Sequence, residues 1–205
     1  MLKHQLLQSD EIWVTEFTDD ALQEFYLKFM DLENDPSVGI ISVIISSYGG
    51  DITIMNAMRD IIKSSPKPVA TTALGKAMSA GITLLAAGSK GYRFASPNTE
   101  LMFHELSTMH RGKATEIHNS AINTVGMNKL MIKNFGSDTG NDAAVITEKI
   151  KSLGGSDWFL TPSDAQKWGI IDHIEIPRAT STQSLSHLAI LKPTPTKSQK
   201  PKKKA

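Results

Sequence analysis

Cysteine is absent from the sequence, and long hydrophobic runs are absent as well. The first absence excludes a disulfide framework, a thiol nucleophile and a cysteine-ligated zinc site, and it fits a reducing compartment. The longest apolar run, AGITLLAAG at 80–88, is far too short to cross a bilayer, and no basic, apolar leader opens the chain. These features predict a soluble, intracellular protein that does not contact a membrane.

The 205 residues divide into a body and a tail of different composition. With 40% hydrophobic and 21% charged residues the chain can bury a full core, so residues 1–191 are predicted to form one domain. This body carries 16 basic and 21 acidic side chains, whereas residues 192–205 hold six lysines, three prolines and no acidic side chain. The tail is predicted to be disordered. It could bind nucleic acid or an acidic partner, or it could be a plain solvated terminus.

Apolar runs typical of buried strands alternate with stretches of helical periodicity. VGIISVIISS at 38–47 is a nearly continuous β-branched run, as expected for a strand buried on both faces. The helix after it has Asp51 in its first turn and is ended by Pro66. Near the end of the body, Thr161 suits an N-cap, with Pro162 at the first helical position. This alternation predicts an α/β fold with right-handed crossovers. Strands are predicted at 38–47, 69–75, 91–95 and 100–105, helices at 51–65, 79–88, 114–135 and 141–153, and a short helix near 161–169 between two further strands.

Gly49 and Gly50 lie between the first of these predicted strands and the helix that follows it. Such a junction often binds phosphate through free backbone N–H groups. The spacing argues against a nucleotide, because there is no G-x-G-x-x-G and no complete P-loop around Gly75 and Lys76. Two interpretations remain: a turn whose amides face a developing negative charge, and a purely structural turn.

Ser79 lies at a similar strand-to-helix junction, in the run GKAMSAGITLLAAG. Its hydroxyl is expected at the positive end of a helix dipole, and the small residues Ala77 and Ala80 leave room for a substrate. Two interpretations are open here as well: a helix N-cap, for which serine is well suited, and a nucleophile beside an oxyanion site. The hydrolase elbow G-x-S-x-G is excluded, because Ala77 stands at its first glycine.

A serine nucleophile needs a base, and the base needs an orienting carboxylate. His104 ends the apolar strand around LMF, which is a fixed position, although a half-buried histidine bonded to backbone has the same signature. Asp164 has a capping role and Asp172 flanks a strand, which leaves Asp157, just before WFL, as the acidic residue without a local role. The remaining histidines, in less fixed or terminal positions, are His4, His110, His118, His173 and His187.

Four segments follow one another in a recognisable order: SSYGG, GKAMSAG, LLAAGSKGYRFASPNTELMFHE and DWFLTPSDAQKWGIIDHI. Over about residues 10–176 the sequence resembles the proteolytic subunit of the ATP-dependent Clp protease, a serine peptidase. The resemblance implies the Clp/crotonase fold of repeated β-β-α and βαβ units, with crossover helices and a protruding helical handle.

The resemblance also implies the roles of individual residues and the partners of the chain. Ser79 corresponds to the nucleophile, His104 to the base and Asp157 to the orienting carboxylate, with oxyanion amides at Gly49 and Ala80. No cofactor or metal is expected at the peptidase site, and ATP enters only through a partner unfoldase. The family forms homo-oligomeric rings, paired as heptamers, that take unfolded polypeptides, here in the cytoplasm of a bacterium or a phage-infected host.

Two segments depart from the family pattern. After the histidine the family usually has Gln-Pro and a glycine-rich strand, where this chain has Glu105, Leu106 and no paired glycines. Ser42 and Ile44 replace aromatic residues of the expected unfoldase docking surface. The alternatives to an ATP-dependent endopeptidase are a capsid-maturation protease without an ATPase, a crotonase-type acyl-CoA hydratase or isomerase, which shares the fold and the oxyanion amides, and an inactive ring subunit.

Overall fold

The computed structural model describes residues 11–177. Within this range the chain forms six strands and six helices. The strands are β1 Glu11–Val14, β2 Ile41–Ser47, β3 Val69–Met78, β4 Arg93–Ala95, β5 Glu100–Phe103 and β6 Trp158–Leu160, and the helices are α1 Asp19–Asn34, α2 Ile52–Ser64, α3 Ala80–Ala86, α4 Ala114–Thr139, α5 Ala143–Ser152 and α6 Pro162–Lys167. The tail at 192–205, the two ends of the predicted domain 1–191, and His4 and His187 lie outside the described residues.

The strands form one mixed sheet in the order β1-β2-β3-β5-β6, with β4 also paired to β3. The pairs among the first five strands are parallel, and β6 runs antiparallel to β5. Every residue of β2 except Ser46 is buried, which explains its uninterrupted apolar sequence. The predicted α/β class is confirmed.

The helix boundaries follow the capping residues in the sequence. Asp51 caps α2 by accepting hydrogen bonds from the backbone N–H groups of Thr53, at 2.6 Å, and Ile54, at 3.4 Å. Hydrogen bonds from the Thr53 side chain and backbone hold the pKa of Asp51 below its ordinary value. Thr161 caps α6 by accepting from the Asp164 N–H at 3.1 Å, so the predicted N-cap is confirmed.

The core lies between the sheet and the helices, and it fixes the end of β5. α3 is buried along its whole length. The ring of Phe103, the last residue of β5, stacks on Phe135 of α4 at 4.2 Å between centroids and meets Trp158 of β6 edge-on at 6.3 Å. The residue that follows Phe103 therefore leaves the sheet from a rigid position.

Helix α4 is the longest element, and all of its buried residues lie in its second half. Its buried residues all lie between Met131 and Gly136, so the preceding turns project from the body as the predicted handle. The helix runs to Thr139, four residues beyond the predicted end. Among the described residues, no helix combines the length and the apolar character that a membrane span requires.

The prediction of a strand after α6 is wrong. Ile170 and Ile171 are buried, which accounts for the strand-like apolar pattern, but the segment meets β4 only at a single bridge between Phe94 and His173. Two backbone N–H groups in and before β4 are bonded to a side chain and not to a strand backbone. The Asp172 carboxylate accepts hydrogen bonds from the N–H groups of Gly91, at 2.8 Å, and Arg93, at 3.1 Å.

An ion pair between the buried Arg93 and the half-buried Asp172 joins this last segment to β4. The Arg93 guanidinium donates to both Asp172 carboxylate oxygens, at 2.9 Å from Nε and 2.7 Å from Nη2, and its Nη1 donates to the Gly169 carbonyl at 2.6 Å. Burial alone would raise the pKa of Asp172, but the hydrogen bonds and charge of Arg93 outweigh it and hold that pKa below its ordinary value. The pair therefore stabilises the fold in its ionised form.

We expect Asp172→Asn to lower the free energy of unfolding by about 3 kcal/mol at pH 7, because the buried Arg93 loses its counterion. Since the folded-state pKa of Asp172 lies below the ordinary value of 3.8, the stabilisation is complete above that pH and is lost as pH falls through the folded-state pKa. Urea unfolding of both proteins from pH 7 to pH 3 checks this.

Asp60→Asn is the matched control, because Asp60 is 79% exposed and its contact with Arg59 at 3.7 Å is a surface pair of small value. The stability gap between wild type and Asp172→Asn should narrow below about pH 4. A gap that is absent at pH 7, or that does not change with pH, contradicts an ionised Asp172 paired with the buried Arg93.

Candidate active site

Four strand ends meet at one edge of the sheet. β2 ends two residues before Gly49, and β3 and β5 end directly before Ser79 and His104. These strands are parallel neighbours, so their carboxyl ends lie at the same edge. β6 is antiparallel, so its beginning lies there too, directly after Asp157. The topology thus gathers predicted site residues from four parts of the sequence.

The hydroxyl of Ser79 and the imidazole of His104 are in direct contact. His104 Nε2 lies 2.8 Å from Ser79 Oγ, which is hydrogen-bonding distance, and both residues are half-buried. Ser79 occupies the N-cap position of α3, yet its side chain makes no capping hydrogen bond. Of the two interpretations of Ser79, this geometry favours the nucleophile, because the hydroxyl faces a potential base.

The backbone of Ser79 is strained and firmly anchored. Its φ of 54° is the only positive φ of a non-glycine residue in the described range. The Ser79 N–H donates to the Met102 carbonyl of β5 at 2.8 Å, and the Ser79 carbonyl accepts from the N–H and hydroxyl of Thr83 at 3.3 and 3.2 Å. Residues held in such conformations concentrate at functional sites, where the surrounding structure must impose them.

The turn at Gly49 lies against Ser79. A Cβ added to Gly49 would come within 2.7 Å of Ser79 Cβ and 3.1 Å of Ser79 Oγ, and its φ is +109°, a region that glycine alone adopts readily. The Gly49 N–H donates to Ser47 Oγ at 3.1 Å, whereas Ala80, as the first residue of α3, has an N–H without an intrahelical acceptor. Gly49 and Ala80 thus both lie beside Ser79, and the Gly49 N–H is already hydrogen-bonded to Ser47 Oγ.

Asp157 is close to His104 along the strands but is not bonded to it. Phe103 and Trp158 form the last residue pair between β5 and β6, and His104 and Asp157 are the next residue on each strand. Asp157 is exposed, and among residues 11–177 no hydrogen bond joins its carboxylate to His104. Its role as the orienting carboxylate stays a prediction.

The other described histidines are not brought to this edge. His110 Nε2 lies 2.9 Å from the Thr124 hydroxyl on α4, and His173 stacks on Phe94 with its Nε2 3.1 Å from the Gly91 carbonyl oxygen. His118 is exposed on α4. In the described part of the chain, no three histidine, aspartate or glutamate side chains are grouped so that they could hold a metal ion.

A comparison with known protein families adds an independent observation. The sequence model of the Clp protease family, described as Clp protease, matches residues 2–178. The chain belongs to the Clp protease family. Membership supports a peptidase, and it confirms the resemblance first seen in the four segments.

In this Clp family member, Lys76 has a partner that the sequence did not indicate. Its Nζ lies 4.4 Å from the centre of the Tyr48 ring, which is 72% exposed and directly precedes Gly49. β3 carries extra residues around Gly75 relative to β2, since Ile45 pairs with Ala73 but Ser47 pairs with Ala77. Lys76 lies in this bulge, and from there its side chain contacts Tyr48 at the start of the glycine turn.

We expect Gly49→Ala to destabilise the protein by at least about 2 kcal/mol, because the new methyl group meets Ser79 and the backbone must hold a φ that is unfavourable for alanine. Gly140→Ala is the control. It also has a positive φ, of +78°, but open space around the added carbon. Thermal unfolding of the two variants compares them, and an equal loss would show that Gly49 does not pack against Ser79.

Proposed function

We propose that this chain is a serine endopeptidase that hydrolyses peptide bonds of protein substrates through an acyl-enzyme. The observation that carries the proposal is the 2.8 Å contact between Ser79 Oγ and His104 Nε2. Membership of the Clp protease family supports it, because it supplies the hydrolytic class independently of the geometry.

In the proposed reaction His104 Nε2 removes the hydroxyl proton as Ser79 Oγ attacks the peptide carbonyl carbon. The oxyanion that forms accepts hydrogen bonds from the amides of Gly49 and Ala80. The imidazolium then gives its proton to the leaving amine, and a water molecule activated by the same imidazole hydrolyses the acyl-enzyme. No cofactor or metal takes part in this scheme.

Asp157 is the proposed orienting carboxylate. Its position next to His104 across the β5–β6 pair supports this role, since neighbouring residues on antiparallel strands have Cβ atoms about 5 Å apart. Rotation of the exposed carboxylate towards Nδ1 would fix the imidazole tautomer and stabilise its charged form.

The proposal includes assembly into a ring, with an ATP-dependent unfoldase supplying unfolded polypeptide. Members of the family generally form such rings with ATPase partners. Large apolar side chains on the projecting α4 support association between subunits. They are exposed to solvent in the single subunit, and contact with a neighbouring subunit would bury them. They are Ile117, Ile122, Val125 and Leu130.

The full chain, separated by size, should react with a fluorophosphonate probe at Ser79 and cleave a fluorogenic peptide, with both activities in the ring-sized fractions. Ser79→Ala should elute like wild type, take no label and lose at least about 10⁴-fold in peptide hydrolysis, because the nucleophile is gone. His104→Ala should lose a comparable factor, because the serine loses its base.

Ser152→Ala is the control, since this serine is exposed at the end of α5, on the surface and not at the site edge. Full peptidase activity in Ser79→Ala refutes the assignment. A ring that takes no label points instead to an inactive subunit. Activity confined to single subunits refutes the assembly and leaves the serine mechanism intact.

A further inference from the structure

A single side chain of α4 contacts the two residues that follow His104. Asn128 Oδ1 accepts a hydrogen bond from the Leu106 backbone N–H at 2.9 Å, and Asn128 Nδ2 donates to the Glu105 carboxylate at 2.9 Å. The orientation of the amide follows from these partners, because an N–H can only donate and a carboxylate can only accept. Asn128 thus holds both residues with opposite ends of one group.

These two hydrogen bonds are made by a segment that lies beyond the end of the sheet. β5 ends at Phe103, and the backbone from His104 to Gly112 lies outside regular structure. In the described part of the protein, the side-chain hydrogen bonds that join residues 104–109 to other elements are those of Ser79 and Asn128. Leu106 is also half-buried and packs against the core. The path of the chain out of His104 is therefore set largely from α4.

The bond to the Leu106 N–H depends on the residue at that position. A proline has no N–H, so the Gln-Pro that is usual in the family could not make it. Glu105 and Leu106, which depart from the family pattern, supply the acceptor and the donor that a single asparagine amide can satisfy together. The altered sequence after His104 is matched by a specific partner on α4.

We propose that Asn128 is a positioning residue, which holds the Glu105–Leu106 backbone so that the imidazole of His104 stays in line with the Ser79 hydroxyl. The inference rests on the proposed serine peptidase function. Asn128 acts through His104 and does not touch the reacting atoms. Small displacements of a catalytic group cost large factors in rate because the reactive geometry is narrow.

The test is the rate of fluorophosphonate labelling of the assembled full chain, resolved into the binding constant of the probe and the maximal rate of inactivation. Asn128→Ala should lower the maximal rate by about tenfold and leave probe binding unchanged. Asn123→Ala is the matched control on the same helix. Asn123 is exposed, and the one hydrogen bond that its side chain makes among the described residues is a weak one to the Met127 sulfur at 3.8 Å.

A paired exchange separates positioning from general stability. Asn128→Asp keeps an acceptor for the Leu106 N–H but places a second carboxylate against Glu105, so the labelling rate should fall about tenfold. Glu105→Gln alone keeps an acceptor for Asn128 and should label like wild type. In the double variant the side-chain amide introduced at 105 can donate to the carboxylate introduced at 128. The labelling rate should therefore return to within roughly threefold of wild type.

Wild-type labelling by folded Asn128→Ala, or no recovery in the double variant, overturns the positioning role. If Asn128→Ala does not fold, Asn128→Asp with and without Glu105→Gln decides the matter. A wild-type chain that takes no label refutes the peptidase proposal and this inference with it, whereas labelling unaffected by any Asn128 substitution refutes this inference alone.

Discussion

The parallel pairing of β3 with β5 is the constraint on which the candidate site depends. Met78 pairs with Met102, and the Ser79 N–H donates to the Met102 carbonyl at 2.8 Å, so the residue after β3 is tied to the strand that ends at His104. A shift of this register by one residue would turn the alternating side chains to the opposite face and separate the hydroxyl from the imidazole. β3 ends at Met78 and α3 begins at Ala80, so Ser79 alone makes the turn between them, with its φ of 54°.

Contacts of the neighbouring elements keep this pairing in place. The stacked rings of Phe103 and Phe135 fix the end of β5, and the Arg93–Asp172 pair holds the segment after α6 against β4, the other neighbour of β3 on that side. Gly49 closes on Ser79 because it has no side chain to prevent the approach. The candidate site residues lie at strand ends and at a helix start, where packing determines their positions most narrowly.

Much of this arrangement could be predicted from the sequence, where local patterns reflect local physics. The buried strands, the cap at Thr161 and the residues Ser79 and His104 follow from apolar runs, capping preferences and family segments. The strand expected after α6 could not be excluded, because burial of Ile170 and Ile171 gives the same pattern whether or not a ladder forms. Asn128 and the Tyr48–Lys76 contact carried no signal, since each depends on residues brought together only by folding. The bond from Asp157 to His104 remains a prediction of the family resemblance.

The most direct test of the central claim is a crystal structure of the full chain after reaction with diisopropyl fluorophosphate. The strand-end site predicts phosphorus bonded to Ser79 Oγ, and a phosphoryl oxygen about 3 Å from the amide nitrogens of Gly49 and Ala80, with His104 Nε2 beside the adduct. Phosphorus on another residue, or an adduct on Ser79 whose oxygens face away from both amides, would contradict it.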